Sequence, residues 1–172
     1  MKHLLLLRHA KAVPAEPGMA DRDRPLAARG HRDAALIGAA IAEDWPPDLI
    51  LSSPSLRTLE TMADVTAALA AAPRTIADES LYGGDSGAYL AALAEHGGDA
   101  RCLLVVGHNP TIHETATMLA KSPEAGMRAK FPTAALAVLA FDVDDWSMIR
   151  PGKGRLVRFL RPKDLGARDA DD

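Results

Sequence analysis

Arginine, histidine and hydroxyl side chains gather in three short segments of this 172-residue chain, each placed directly after an apolar run. Residues 4–7 precede Arg8-His9-Ala10-Lys11, and residues 49–51 precede Ser52-Ser53-Pro54-Ser55-Leu56-Arg57-Thr58. Residues 103–106 precede Gly107-His108-Asn109-Pro110. A guanidinium is a planar fork of donors that matches a phosphate bidentately. A neutral imidazole is a nucleophile when one nitrogen faces the reacting atom and an acceptor holds the other N–H. Ser53 before Pro54 and Asn109 before Pro110 read as N-caps with proline at the first helical position. Free N–H groups at such helix starts favour an anion. The expected chemistry is phosphoryl handling: Arg8 and Arg57 neutralise the equatorial oxygens, a histidine attacks in line, and a second histidine adds a donor.

That chemistry requires the three segments to meet, and the pattern of elements supplies the means. Short apolar runs at 4–7, 49–51 and 102–106 read as strands buried on both faces, with a weaker strand at 75–77 and two late ones at 135–141 and 156–159. Between them lie helical stretches. One runs over 27–43 and stops at Trp45-Pro46-Pro47. A second follows residue 55, with Leu56, Leu59, Ala63, Thr66 and Ala70 expected on its inner face. Residues 82–85 read as a loop, Ser86 as the cap of a helix to about 96, and 110–121 as a helix with Ile112, Ala116 and Leu119 inward. The expected fold is a three-layer α/β sandwich, a mostly parallel central sheet with helices on both faces, the last strands adding antiparallel pairing. In a parallel sheet the three segments share one edge, where open α/β sheets bind ligands. The domain is expected to span 1–163, with 164–172 as a mobile polar tail.

Composition removes several other classes. With 20 Lys+Arg against 23 Asp+Glu, the net charge of −3 offers no general attraction to nucleic acid or anionic lipid, though a local arginine cluster can still draw an anion. Cys102, a lone cysteine within a predicted strand, allows neither an internal disulfide nor a multi-cysteine zinc site, and argues against a thiol nucleophile. Gly152-Lys153-Gly154 lacks the upstream glycine of a P-loop, and Thr117 stands where His113-Glu114 would need a second histidine to bind zinc. The apolar run at 4–7 is too short for a membrane span and has no cleavage site behind it, so a cytoplasmic protein is expected. His3, His31, His96 and His113 read as structural or solvent-facing.

The three segments together resemble the histidine phosphatase superfamily, also called phosphoglycerate mutase-like, whose signature is an Arg-His pair directly after the first strand. Here that pair is Arg8-His9; the Ser-Ser-Pro-x-x-Arg-Thr element is Ser52 to Thr58, and Gly-His-Asn-Pro is Gly107 to Pro110. Within the superfamily the chain is similar to the small SixA-type phosphohistidine phosphatases. The likeness rests on Arg8-His9-Ala10-Lys11, Asp23-Arg24-Pro25-Leu26 with Gly30, Phe131-Pro132-Thr133-Ala134, and the short stretch between Arg57 and Gly107.

The resemblance implies that His9 is transiently phosphorylated and that water then releases phosphate. It implies that Arg8, Arg57 and His108 bind the phosphate, and that neither metal nor cofactor is needed. Larger members take a proton donor from a carboxylic acid between the second and third elements, for which Glu79 and Asp85 are the candidates. Imidazole is a better leaving group than an alkoxide, so P–N cleavage needs less acid assistance. The expected substrate is therefore a phosphohistidine-containing protein, with Lys11 at the rim of its site. Two alternatives stand beside this: a phosphatase or mutase of small phosphomonoesters, and a non-enzymatic phosphoprotein-binding module.

Overall fold

A computed structural model describes residues 1–167 and shows six strands in one sheet, in the order β3-β2-β4-β1-β5-β6. The strands are β1 (Lys2–Arg8), β2 (Leu49–Ser52), β3 (Arg74–Ala77), β4 (Cys102–Gly107), β5 (Leu136–Phe141) and β6 (Arg155–Leu160). Strands β1 to β4 run parallel, β5 is antiparallel to β1, and β6 is antiparallel to β5. The helices are α1 (Ala28–Asp44), α2 (Leu56–Thr66), α3 (Ser80–Gly83), α4 (Ser86–His96), α5 (Thr111–Leu119) and α6 (Ala125–Ala129).

The leucine run of β1 is divided between two cores because successive side chains on a strand point to opposite faces. Leu4 and Leu6 pack with Leu103, Val105, Tyr89 and Leu93 of β4 and α4, and with Ile112, Ala116 and Leu119 of α5. Leu5 and Leu7 pack on the other face with Leu104, Val106, Ile37 and Ile41 of α1, and Val65 of α2. Three layers result, as expected from the alternation of elements. Among the described residues no helix is long and apolar enough to cross a membrane.

Several local expectations need correction. The buried face of α2 is Arg57, Thr58, Thr61 and Val65, while Leu56 is 37% exposed. The polar face turns inward because its hydroxyls serve buried backbone: Thr61 Oγ1 accepts from the Ala10 N–H at 3.0 Å and donates to the Arg57 carbonyl at 2.7 Å. Ser55, not Ser53, precedes α2, and Pro110, not Asn109, precedes α5. Residues 80–83 form the short helix α3 rather than continuing a loop, and α4 is capped by Asp85 instead of Ser86. At the C-terminus Asp164 accepts from the Arg161 N–H and guanidinium, both at 2.9 Å, within the turn Pro162–Leu165. Of the expected polar tail, residues 168–172 lie outside the described residues.

Candidate active site

Adjacent central strands bring the three segments together. Arg8 of β1 is in register with Gly107 of β4, and Ser52 of β2 with Val106 of β4. The ladder extends one residue further on each side, the His9 N–H donating to the Gly107 carbonyl at 3.0 Å and the Ser53 N–H to the Val106 carbonyl at 3.1 Å. Sheet register alone therefore sets the segments at one height on one edge. Gly107 is required there, since a Cβ would collide with the Tyr89 hydroxyl, which accepts from the His108 N–H at 3.2 Å.

A cleft of about 430 Å³ opens at this edge, lined by Arg8, His9, Lys11, Ala12, Asp21, Arg24, Arg57, Tyr82, His108, Asn109 and Thr133. The rings of His9 and His108 lie 5.3 Å apart. The Nδ1–H of His9 donates to the Ala10 carbonyl at 2.8 Å, which fixes the tautomer and leaves the Nε2 lone pair as the reactive nitrogen. Burial, opposed by that hydrogen bond and reinforced by His108, Arg57 and Arg8, pulls the His9 pKa down to about 3. The imidazole is thus neutral and nucleophilic at ordinary pH.

Hydrogen bonds hold His108 on both nitrogens. Nε2–H donates to Ser53 Oγ at 2.8 Å, and an Arg57 N–H faces Nδ1 at 3.4 Å. Burial first, then Arg57, brings its pKa to about 4, with Asp21 opposing. Arg8 donates to the Phe131 carbonyl at 3.1 Å. The Nε–H groups of Arg8 and Arg57 are both buried and find no acceptor within the described chain. Two such donors beside one cleft fit a tetrahedral oxyanion.

The cleft holds one carboxylate among the described residues, Asp21, which the sequence reasoning missed. Its side chain takes hydrogen bonds from the Tyr82 hydroxyl at 2.7 Å, Arg57 at 3.0 Å and Arg24 at 3.1 Å. Tyr82 above all, then Arg57 and Arg24, hold the Asp21 carboxyl well below the usual carboxylate range, against an opposing burial effect second in size only to the Tyr82 hydrogen bond. Nothing local in the sequence marks Asp21; it reaches Arg57 only because residues 11–25 fold back over the sheet edge. Tyr82 was likewise assigned to a loop and Ser53 to a cap.

The two carboxylic acids proposed from the resemblance go elsewhere. Glu79 makes a bidentate pair with Arg22, at 2.8 Å to each oxygen, on the surface outside the cleft lining. Asp85 accepts from the Ala88 N–H at 3.0 Å as the cap of α4. Cys102 sits at the start of β4, away from the site edge, and burial pushes its thiol up to about 12, so a thiolate is not at hand. Lys11 lines the cleft.

Fold and site together define a class: three-layer α/β phosphatases that gather two arginines and two histidines at the C-terminal edge of a largely parallel sheet. Residues 4–89 match the model of the histidine phosphatase superfamily (branch 1), and the chain belongs to that superfamily. An uncharacterized protein of Mycobacterium tuberculosis is 36% identical over 164 residues, covering 91% of this chain and all of the relative. An uncharacterized chloroplastic protein of Arabidopsis thaliana is 28% identical, covering 94% of this chain and 78% of its own. Among solved structures, a candidate phosphohistidine phosphatase SixA from Nakamurella multipartitia superposes with a TM-score of 0.81 at 30% identity, covering 94% of this chain and 96% of its own. The protein histidine phosphatase SixA complexed with tungstate gives 0.75 at 25%, covering 95% and 99%. The chain is similar in fold to these SixA structures over nearly its whole length.

Proposed function

We propose that the chain hydrolyses phosphohistidine in a phosphoprotein through a phosphorylated His9. The observation that carries this is the placement of His9 Nε2, unprotonated, beside two guanidinium groups with unpaired buried N–H donors. In the first step the Nε2 lone pair attacks phosphorus, an N–P bond forms, and the bond to the substrate imidazole breaks. The electron pair returns to the substrate nitrogen, which takes a proton from solvent. Water then attacks phosphorus, the His9 N–P bond breaks, and phosphate leaves. Arg8, Arg57 and His108 bind the oxygens throughout. The dianion they hold draws the Arg57 N–H off His108 Nδ1 and raises the affinity of that nitrogen for a proton, so that Nδ1–H becomes a further donor.

Phosphohistidine is favoured over a phosphate ester because the carboxylate in the cleft is unsuited to give up a proton. Asp21 is held ionised by its three hydrogen bonds, and an alkoxide leaving group needs an acid that an imidazole does not. The similar protein histidine phosphatase SixA has been solved in complex with tungstate, an oxyanion, which supports an anion-handling reading here. The test is steady-state comparison of a phosphohistidine peptide with p-nitrophenyl phosphate and sugar phosphates, together with labelling of His9 quenched in alkaline denaturant. The expected result is a higher kcat/KM on phosphohistidine and a label lost in His9→Ala. A higher kcat/KM on a sugar phosphate would overturn the substrate assignment, and an unlabelled but binding-competent wild type would favour a binding module.

A further inference from the structure

Beside the cleft a second cavity of about 230 Å³ is lined by Arg29, Asp33, Lys130, Thr133, Arg161 and Lys163 among others. Thr133 lines both, so the cavity borders the cleft. Together they take four cationic residues from the cleft and four from the cavity, out of 20 Lys+Arg in the chain, but only Asp21 and Asp33 out of 23 Asp+Glu. In a protein of net charge −3, cations thus outnumber carboxylates in the linings of the cleft and of the cavity beside it. Part of that charge is balanced locally, Arg161 by Asp164 at 2.9 Å and Arg29 by Asp33 at 3.5 Å. Lys130 and Lys163 are exposed at the cavity, Lys163 with Asp164 within electrostatic reach, and Asp33 is the one acidic residue in that lining.

We propose that the Lys130–Lys163 cavity is a docking subsite for acidic side chains flanking the phosphorylated histidine of the protein substrate. The proposal rests on the phosphohistidine reading and deepens it. A small phosphate ester is accommodated by the cleft alone and gains nothing from cations beyond Thr133. A macromolecule delivering a phosphorylated side chain to His9 brings neighbouring surface toward the cavity that borders the cleft at Thr133. Opposite charges meeting there at contact distance stay effective at physiological salt, whereas charges more than about 8 Å away are screened.

The test uses two synthetic phosphohistidine peptides of equal length, one flanked by Asp and Glu, the other by neutral residues, with phosphoramidate as the small substrate. The wild type is expected to favour the acidic peptide about tenfold in kcat/KM, mostly through KM, and to lose that preference with added salt. The double variant Lys130→Glu/Lys163→Glu is expected to abolish the preference while turning over phosphoramidate at the wild-type rate, which also shows that it is folded. Equal use of both peptides by the wild type, or an unchanged preference in the variant, would overturn the subsite. If neither peptide is hydrolysed while p-nitrophenyl phosphate is, the phosphohistidine reading has failed. Fluorescence-anisotropy binding of the same two peptide sequences, each carrying a non-hydrolysable phosphohistidine analogue, then decides the subsite separately: it stands only if the acidic one binds the wild type more tightly than the variant.

Discussion

Arg57 is gripped by Asp21 on two atoms, donating to its main-chain carbonyl at 2.7 Å and to its carboxylate at 3.0 Å. The Arg57 side chain is only 8% exposed, so this grip settles where a buried cation points. Asp21 is itself steadied from the far side of the cleft by Tyr82, whose ring also meets His108 edge-on at 5.6 Å. Arg22 lies over that ring at 4.8 Å and pairs with Glu79. A strap of charged residues therefore orients the Arg57 guanidinium in the cleft.

Replacing Asp21 with Asn keeps the shape and removes the charge that holds Arg57. A charge-assisted hydrogen bond contributes about 1.5–3 kcal/mol when well sheltered, and half-exposure of Asp21 places this one at the lower end. The expected outcome is a fall of about tenfold in kcat/KM, with Tyr82→Phe showing a smaller loss in the same direction. Steady-state kinetics on both variants check it; an unchanged kcat/KM in Asp21→Asn would show that Arg57 needs no such guide.

Ser53→Ala removes the acceptor for His108 Nε2–H, a 2.8 Å bond made in a fully buried position. Leaving a buried donor unpaired costs about 1–3 kcal/mol. The expected outcome is a lower unfolding midpoint together with a kcat reduced about tenfold and a KM little changed. Chemical denaturation and initial-rate measurements separate the two effects.

The pKa values of His9 and His108, about 3 and about 4, dictate how stability depends on pH. Both lie below the unfolded value near 6.5, so the unfolded chain binds protons that the folded chain refuses. Their contribution is complete above about pH 6.5 and is lost as pH falls toward 4, by about 2 kcal/mol for each histidine at pH 5. Melting temperatures from pH 8 to pH 4.5 should decline over this window, less steeply in His9→Asn/His108→Asn. The rate constant for phosphorylation of His9 should show no acid limb near pH 6.5 from the nucleophile.

Gly107→Ala would drive a Cβ into the Tyr89 hydroxyl in a core with no room to yield. Overpacking of this kind costs about 1–3 kcal/mol. Tyr89→Phe instead leaves the His108 N–H without its acceptor and should cost about 1–2 kcal/mol. In the double variant the missing hydroxyl removes the tightest contact and leaves the ring carbon Cζ at 2.9 Å, so the two losses should sum to more than the loss observed. A double-mutant cycle by denaturant unfolding measures the difference.

The parallel core was legible because its strands are short apolar runs and because α1 and α4 end beside Pro46 and Gly97. The fold class, Arg8, His9, Arg57 and His108 could all be read from three motifs and the alternation of elements. The inner face of α2 was misread because hydrophobic periodicity assumes that apolar side chains turn inward. At this site the opposite holds: Thr58 and Thr61 are buried to satisfy the Ser53 carbonyl and the Ala10 N–H, while Leu56 stays exposed. Glu79 and Asp85 were credible from their place in the chain, but position in sequence carries no information on which partner captures a carboxylate.

By itself the sequence determined that strands would alternate with helices and that two arginines and two histidines would follow the strands bearing them, since local pattern and strand termini are properties of contiguous residues. Only the tertiary structure decided that β2, β4 and β1 are neighbours, so that the motifs meet at one height. It alone also set Asp21 against Arg57, across 36 residues of chain, and turned His9 into a neutral base. Hydrogen-bond partners and desolvation depend on what lies nearby in space, and that proximity exists only once the sheet and the strap above it have assembled.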